Sequence, residues 1–576
     1  MVNEQTLAQA KDYTTIVQPI IERARTDPQR VSLVILQGDG SRTTVTAAEL
    51  HAGSVAYALA LQAYGIHQGD HVVLVMGHDL PLFYSFLGPM YIGAVPSIFP
   101  YPTPNLDLTL YFERVQQLVT HYGVRAVITE PRYLDQLASL LAGTGCQVIS
   151  TDSIDATPQP EYAETGLLAE IDEHDLAFIQ HTSGTTGVPK GVGLSHRAVL
   201  NHVFACAAFL HLDPEEDVCV SWLPLYHDMG LTGTILMVFA TGTLSVTMSP
   251  FTWVRRPKLL FEAINEFRGS LSWMPNFAYN LSAKAVRDSD LEGMDLSCWR
   301  YLLNGSEPLL HTSHEAFIKR FGPYGFPNES LNSGYGLAEN LVAVTLCPLY
   351  ERAPEDTVVK SVLQEGEHAV PADETTPAED TTTLVSSGVP IPNCEVRIVD
   401  EQGNDQPDRA IGEIIIRSDT LFEGYYERPD LTAEVFDEDG WFYTGDLGYF
   451  VEGHLYVIGR EKDLIIVGGK NIYPHELEII ADSMRTLKPG RSVAFGVDDT
   501  AMGTEQIVMV CEVTDPEAVD ALPEIERELR RRVTQALGVT IGDVRLVNDR
   551  WVIKTPSGKF ARNDNRRKYF AEFAAE

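Results

Sequence analysis

Short apolar runs alternate with longer stretches of helical periodicity through the first half of the chain. Residues 71–77 (HVVLVMG) predict a buried strand, and 81–93 (PLFYSFLGPMYIG) an apolar helical run after it. Residues 126–130 (AVITE) and 147–150 (QVIS) predict two further strands. The same alternation continues through LAFIQHT, VCVSWLP and LSVTMSP. Strands alternating with helices imply an α/β fold on a largely parallel sheet. No internal repeat of 20–50 residues is present.

The pattern breaks at 351–383, where Pro, Glu, Asp and Thr dominate and no aromatic occurs. From Pro371 onward this stretch has little to bury, which predicts a surface loop or local disorder. After 384, CEVRIVD, IGEIIIRS and HLYVIGR predict short strands separated by turns, a β-rich subdomain.

Composition narrows the function classes. The chain has 576 residues, 43 Lys+Arg against 80 Asp+Glu, and a net charge of −37. That is the wrong sign for non-specific nucleic-acid binding or for an anionic membrane surface. Mean hydropathy is −0.07 and no apolar run is long enough to span a bilayer, so no stable membrane insertion is expected. The polar N-terminal stretch lacks the pattern of a secretory signal. Seven scattered cysteines without a CxxC pair suit a reducing compartment, so a cytoplasmic location is expected. Residues 462–576 hold 17 Lys/Arg against 19 Asp/Glu, leaving −35 on the rest. Such a shift predicts a separate C-terminal domain, locally basic from Lys554 to Lys568.

The strongest chemical signal is the run Thr182, Ser183, Gly184, Thr185, Thr186, Gly187, Val188, Pro189, Lys190, Gly191. Small hydroxyl and glycine residues after a strand expose backbone N–H groups to a phosphate, and a lysine adds charge. It is not a Walker A loop, because Pro189 precedes the lysine and Gly191 follows it. This loop resembles the phosphate loop of the adenylate-forming superfamily of acyl-CoA synthetases, adenylation domains and luciferases.

Further matches follow in that family's order over about 380 residues. Asn304-Gly305-Ser306-Glu307-Pro308 resembles the adenine-edge segment. Ser333-Gly334-Tyr335-Gly336-Leu337-Ala338-Glu339 resembles the aromatic-plus-acid motif. Gly424-Tyr425-Tyr426 and Trp441-Phe442-Tyr443-Thr444-Gly445-Asp446 resemble the ribose-side segments. Gly459-Arg460-Glu461-Lys462-Asp463 resembles the hinge, and Lys554-Thr555-Pro556-Ser557-Gly558-Lys559 the catalytic-lysine loop.

The residue chemistry agrees with what the resemblance implies. Tyr335 offers a flat face to adenine. Glu339 is a hard oxygen ligand suited to Mg²⁺ beside phosphates. Asp446 can accept both ribose hydroxyls, and Arg460 adds a donor. Lys559 can stabilise the charge that develops when a carboxylate attacks the α-phosphate of ATP. Each of these types alone also suits a core aromatic, a turn, or a solvated charge.

One departure marks a branch. Ala338 stands where many members carry Thr. Together with LPLYHDMGL at 223–231 and MPNFAYNL at 274–281, it resembles the fatty acyl-AMP ligases. That branch carries an insertion after the aromatic-acid motif, where 351–383 lies, linked to poor use of coenzyme A. The resemblance implies His227, Met229, Asn276 and Tyr279 at the acyl pocket and Lys462 as the hinge. It implies a large multi-subdomain N-terminal domain, 1–461, and a small mobile α+β domain, 462–576. The implied reaction activates a fatty acid with ATP and Mg²⁺ and hands the acyl group to the phosphopantetheine thiol of an acyl carrier protein. An acyl-CoA synthetase, and a non-catalytic relative that binds nucleotide or acyl chains, are the alternatives.

Overall fold

The computed structural model describes residues 2–102, 108–156, 171–181, 189–467, 470–499, 504–515, 522–555 and 558–573. Its largest sheet has nine strands. In spatial order they are Val389–Pro390, Thr345–Leu346, Leu331–Tyr335, Tyr301–Asn304, Leu271–Met274, Val218–Ser221, Leu244–Met248, Val31–Leu36 and Arg42–Thr46. The six central strands are parallel, and the outer three join antiparallel. A second, four-stranded parallel sheet holds Val95–Ile98, His71–Val75, Ala126–Thr129 and Gln147–Ser150. The alternation expected from the sequence is therefore present. Val72, Val73, Leu74 and Val75 are all fully buried, because helices cover both faces of a parallel sheet.

Helix Ala47–Ala63 shows how local chemistry sets an element. Thr46 and Glu49 form a reciprocal capping box at its start. Its body then packs on Leu80–Tyr91, where Gly88 lets Tyr57 approach.

The β-rich region is a four-stranded antiparallel sheet of Cys394–Val399, Gly412–Ser418, Phe442–Val451 and His454–Arg460. The last strand runs into a single 3₁₀ turn, Glu461–Asp463, that contains Lys462. Beyond it, Leu487–Asp499 pairs antiparallel with Thr504–Val513, which runs parallel to Ile541–Val547. The middle strand is apolar on both faces because both are covered. Ile507, Met509 and Cys511 pack with Leu529 and Val533; Val508 and Val510 pack with Trp551 and Tyr569. These two cores are separate from the main one, whose last member is Leu455.

The expectation of a surface loop or disorder from Pro371 onward is corrected at its end, where Thr381–Val385 forms a strand. Glu355–Val359 pairs antiparallel with Thr381–Val385, and Lys360–Glu365 is helical between them. Asp356 anchors this unit by accepting two bonds from Arg409, at 3.0 and 3.1 Å, and one from the Tyr449 hydroxyl at 2.8 Å. Val358, Leu363 and Ala369 pack against Tyr449, Tyr456 and Tyr473. The turn near Asp373–Thr376 is the exposed part that composition anticipated. The seven cysteines are unpaired thiols. Among the described residues no helix is long and apolar enough to cross a membrane.

Candidate active site

The C-terminal ends of the central parallel strands, the antiparallel sheet and the last segment of the chain meet at one cleft. Crevices at the carboxyl ends of parallel strands are where such folds place ligands. Strand Leu331–Tyr335 delivers Tyr335, whose hydroxyl donates to Asp446 Oδ2 at 2.7 Å. Arg460 Nε donates to the other oxygen, Oδ1, at 3.0 Å. Asp446 and Arg460 face each other because their strands pair in register, Asp446 opposite Arg460. Burial, with Asp446 beside it, pushes the Tyr335 phenol well above its usual range. Asp446 likewise holds the Arg460 guanidinium above its ordinary value.

Gly336 makes the next turn possible. A Cβ there would stand 1.5 Å from the Val342 carbonyl oxygen. The chain then enters the 3₁₀ turn Ala338–Asn340, which presents Glu339. Its Oε1 accepts from the Tyr425 hydroxyl at 2.8 Å. Lys190 Nζ lies 4.3 Å above the Tyr425 ring. Gly424–Tyr425 is held there by pairing with Gly191–Ser195, the strand that follows the phosphate loop. Thr182, Ser183, Gly184, Thr185, Thr186 and Gly187 lie outside the described residues, as do Pro556 and Ser557. The flanking strands bring their ends together, with His181 paired to Gly191.

On the opposite wall His227 immediately precedes the short helix Asp228–Leu231. His227 Nδ1 lies 2.6 Å from Asp228 Oδ1, and Nε2 lies 3.3 Å from the Ser306 hydroxyl. Ser306 sits at φ +72°, a left-handed conformation uncommon for serine. Gly305 before it is buried beside the Met229 sulfur and the Gly334 carbonyl. Glu307 accepts from the Phe277 N–H at 2.9 Å. Burial raises the Glu307 carboxyl above its usual range, against the pull of Phe277 N–H, Lys554, Lys559 and His227.

Lys559 closes the cleft from the last segment. Its loop is pinned by Thr555, whose hydroxyl accepts from Lys559 N–H at 3.1 Å and whose N–H donates to Lys559 O at 2.7 Å. The side chain is reachable by solvent, yet crowded by protein. That crowding, aided by Arg460, lowers its pKa, while Asp228, Glu307 and Asp446 favour the charged form. Lys559 thus joins the Asp446 group to the His227 group. Lys462 lies on the turn at the edge of the cleft, where burial and Arg460 lower its pKa.

Other expected site residues are absorbed into structure. The buried Ser333 hydroxyl donates to the Ser386 carbonyl. Asn276 Oδ1 accepts from Asn304 Nδ2 at 3.1 Å and from Leu310 N–H at 3.3 Å. Tyr279 is fully buried, edge-on to Phe317, with its hydroxyl 3.4 Å from the Leu302 carbonyl. Met229 is buried at the floor, its N–H donating to Asp228. Two residues had been passed over as individual site members. Asp228 directly follows His227 in the Tyr-His-Asp run, and that adjacency of acid and imidazole was the available signal. Tyr425 had a weaker one, its place in a Gly-Tyr-Tyr run.

A 4-hydroxyphenylalkanoate adenylyltransferase of Mycobacterium marinum is 30% identical to this chain, spanning 92% of it and 86% of that protein. A long-chain-fatty-acid–AMP ligase of the same organism is 29% identical and spans 94% of each chain. A structure from the fatty acyl-adenylate ligases of E. coli and L. pneumophila matches with a TM-score of 0.89 at 29% identity, covering 98% of this chain and 99% of that one. The family described as AMP-binding enzyme matches residues 20–426, and this chain belongs to it.

Proposed function

We propose that the chain activates a fatty acid with ATP, releasing pyrophosphate, and passes the acyl group to the phosphopantetheine thiol of a carrier protein. The observation that carries the first step is the approach of Lys559 to Asp228, Glu307, Asp446 and Arg460. It places a cation where an attacking carboxylate and an α-phosphate must come together. Tyr335 supplies the face for adenine, and Asp446 with Arg460 binds the ribose. Glu339 uses one oxygen on Tyr425, and its carboxylate suits Mg²⁺, which would neutralise phosphate charge. His227, Ser306 and Met229 receive the carboxyl end of the acid. The acyl chain itself is read from the relatives, an AMP ligase of long-chain fatty acids and an adenylyltransferase of 4-hydroxyphenylalkanoates.

The transfer step requires the lysine to withdraw. We assign 1–461 to the body, 462–576 to a mobile domain, and Lys462 to the hinge, since the turn that contains it leads from the main core to two separate ones, with Tyr473 the side chain that packs back on Tyr449 and Tyr456. The 351–383 unit supports a carrier thiol over free coenzyme A. Its Lys360 Nζ donates to the Ala536 carbonyl at 2.7 Å, tying the unit to the C-terminal segment. The basic stretch at 554–568 contributes less than its charge suggests. Arg562 pairs with Glu478, Arg567 with Asp564, and Lys568 lies 4.5 Å from the Trp551 ring.

The test is a panel of fatty acids scored by pyrophosphate release, repeated with coenzyme A and with a holo-carrier protein. The reading expects acyl-adenylate from medium or long chains and transfer to the carrier. Efficient acyl-CoA formation would replace it with a synthetase. Exchange with amino acids and none with fatty acids would remove it altogether.

A further inference from the structure

Asp228, His227 and Ser306 form a continuous chain of polar contacts. Asp228 Oδ1 takes the Met229 N–H at 2.6 Å and lies 2.6 Å from His227 Nδ1. The Met229 N–H also lies 3.3 Å from that nitrogen but is taken by Asp228 at 2.6 Å; the carboxylate is the nearer and charged partner of Nδ1, so Nδ1 carries the proton and donates it to Asp228. Nε2 is then an acceptor, and the Ser306 hydroxyl at 3.3 Å is the donor that faces it. An imidazole oriented by a carboxylate, with a hydroxyl on its free nitrogen, is arranged to take a proton from whatever replaces that hydroxyl.

Charge around Asp228 gives this arrangement a second property. Burial pushes the Asp228 carboxyl up, but His227, Lys559 and the Met229 N–H outweigh it and hold it below its usual range. A carboxylate taken out of water needs a cation close by. In this structure Lys559 is one. It belongs to the last segment and leaves the cleft when that segment swings. The other groups around the pair are Glu307, which faces His227, Lys554 and Lys559, and His202, which faces Asp228. Burial lowers His202 to about 3 and keeps it neutral, so it cannot take the place of Lys559.

We propose that His227, oriented by Asp228, is the base that accepts the proton of the acceptor thiol in the transfer step, and that Asp228, as a carboxylate, pairs with the imidazolium that forms. This rests on the acyl-AMP ligase reading. The thiol takes the place of the Ser306 hydroxyl at Nε2. Its S–H bond breaks and the proton passes to Nε2. The sulfur forms a bond to the acyl carbon, the bond from that carbon to the adenylate oxygen breaks, and AMP leaves with the electron pair. The imidazolium then returns its proton to water.

The test follows single-turnover transfer from acyl-adenylate formed in situ to pantetheine, from about pH 6 to about pH 10, around the ordinary thiol pKa of about 8.5. The wild-type rate should level off well below the thiol pKa. In His227→Gln the rate should track the thiolate fraction, climbing about tenfold per pH unit until the thiol ionises. The variant should be about 10²-fold slower near neutrality and should converge on the wild type once the thiol is ionised. Asp228→Asn should show the same shape with a smaller loss. A purely structural role would lower the rate by one factor at every pH, and parallel profiles would overturn the proposal. A wild-type profile that itself climbs to the thiol pKa would overturn it without any variant. Wild-type enzyme that releases no pyrophosphate with any fatty acid would remove the reading beneath it, an outcome separate from both.

Discussion

Tyr335, Asp446 and Arg460 on one wall of the cleft are linked by polar contacts of 2.7 and 3.0 Å before any ligand enters. Asn276 and Tyr279, which the family resemblance assigns to the acyl side, are instead consumed by packing and by a buried polar network. The difference is one of chemistry. Ribose and phosphate demand fixed donors and acceptors, and preorganising them removes the cost of ordering them on binding. An acyl chain demands only apolar volume, which any core side chain can supply by moving. The first wall should therefore respond to substitution through binding and rate, the acyl side through stability.

Lys559→Ala carries the largest expected effect, since the lysine serves both walls. Pyrophosphate exchange should fall by about 10²–10³ or more, because its charge acts on the developing transition state. Binding of preformed acyl-adenylate should survive. A variant within tenfold of wild type would show that Arg460 or another cation fills the role. Asp446→Ala comes next. It leaves Arg460 and the Tyr335 hydroxyl without their shared acceptor, at a cost of about 1–3 kcal/mol. A rise of about 10–100-fold in KM for ATP is expected, with the fatty-acid KM little changed. Equal loss for both substrates would break the proposed division of the cleft.

The same division explains what was legible in the sequence. Lys559, Glu339, Asp446 and Arg460 were legible through the resemblance, because their motifs follow in the family's order; each type alone also suits a turn or a solvated charge. Tyr279 and Asn276 were named at the acyl pocket through the resemblance alone, since an apolar or amide residue that lines a pocket looks the same in sequence as one in the core. The strands at 71–75 and 126–129 were legible because a doubly covered parallel strand is almost continuously apolar. The unit at 355–385 was misjudged for the opposite reason. Its order comes from one buried acid, Asp356, reaching Arg409 and Tyr449 far along the chain. No local composition reports a long-range anchor of that kind.

Asn276→Ala probes the acyl side. It leaves the Leu310 N–H without its acceptor and removes one partner of Asn304. Loss of about 1–3 kcal/mol is expected, read as a lower thermal transition with both half-reactions reduced alike. A selective change in acyl-chain preference without destabilisation would show that this side is a preformed pocket after all.

Tyr279→Phe has the smallest expected effect and sharpens the comparison most. The ring is fully buried against Phe317 and His314, so it is large and well packed. Its hydroxyl meets the Leu302 carbonyl at 3.4 Å, beyond the usual range for an O–H donor. Removing that oxygen keeps the ring and its contacts and gives up a weak bond, worth less than the typical 0.5–1.5 kcal/mol, or about 0.5 at most. Leu302 lies in a sheet strand, so its carbonyl keeps its ladder partner. Adenylation and transfer should both stay within about twofold of wild type, since 0.4 kcal/mol is about a factor of two. A larger fall, confined to the fatty-acid KM, would mean that the hydroxyl turns toward the substrate when the pocket opens. The two regions would then differ in when they form, and no longer in kind.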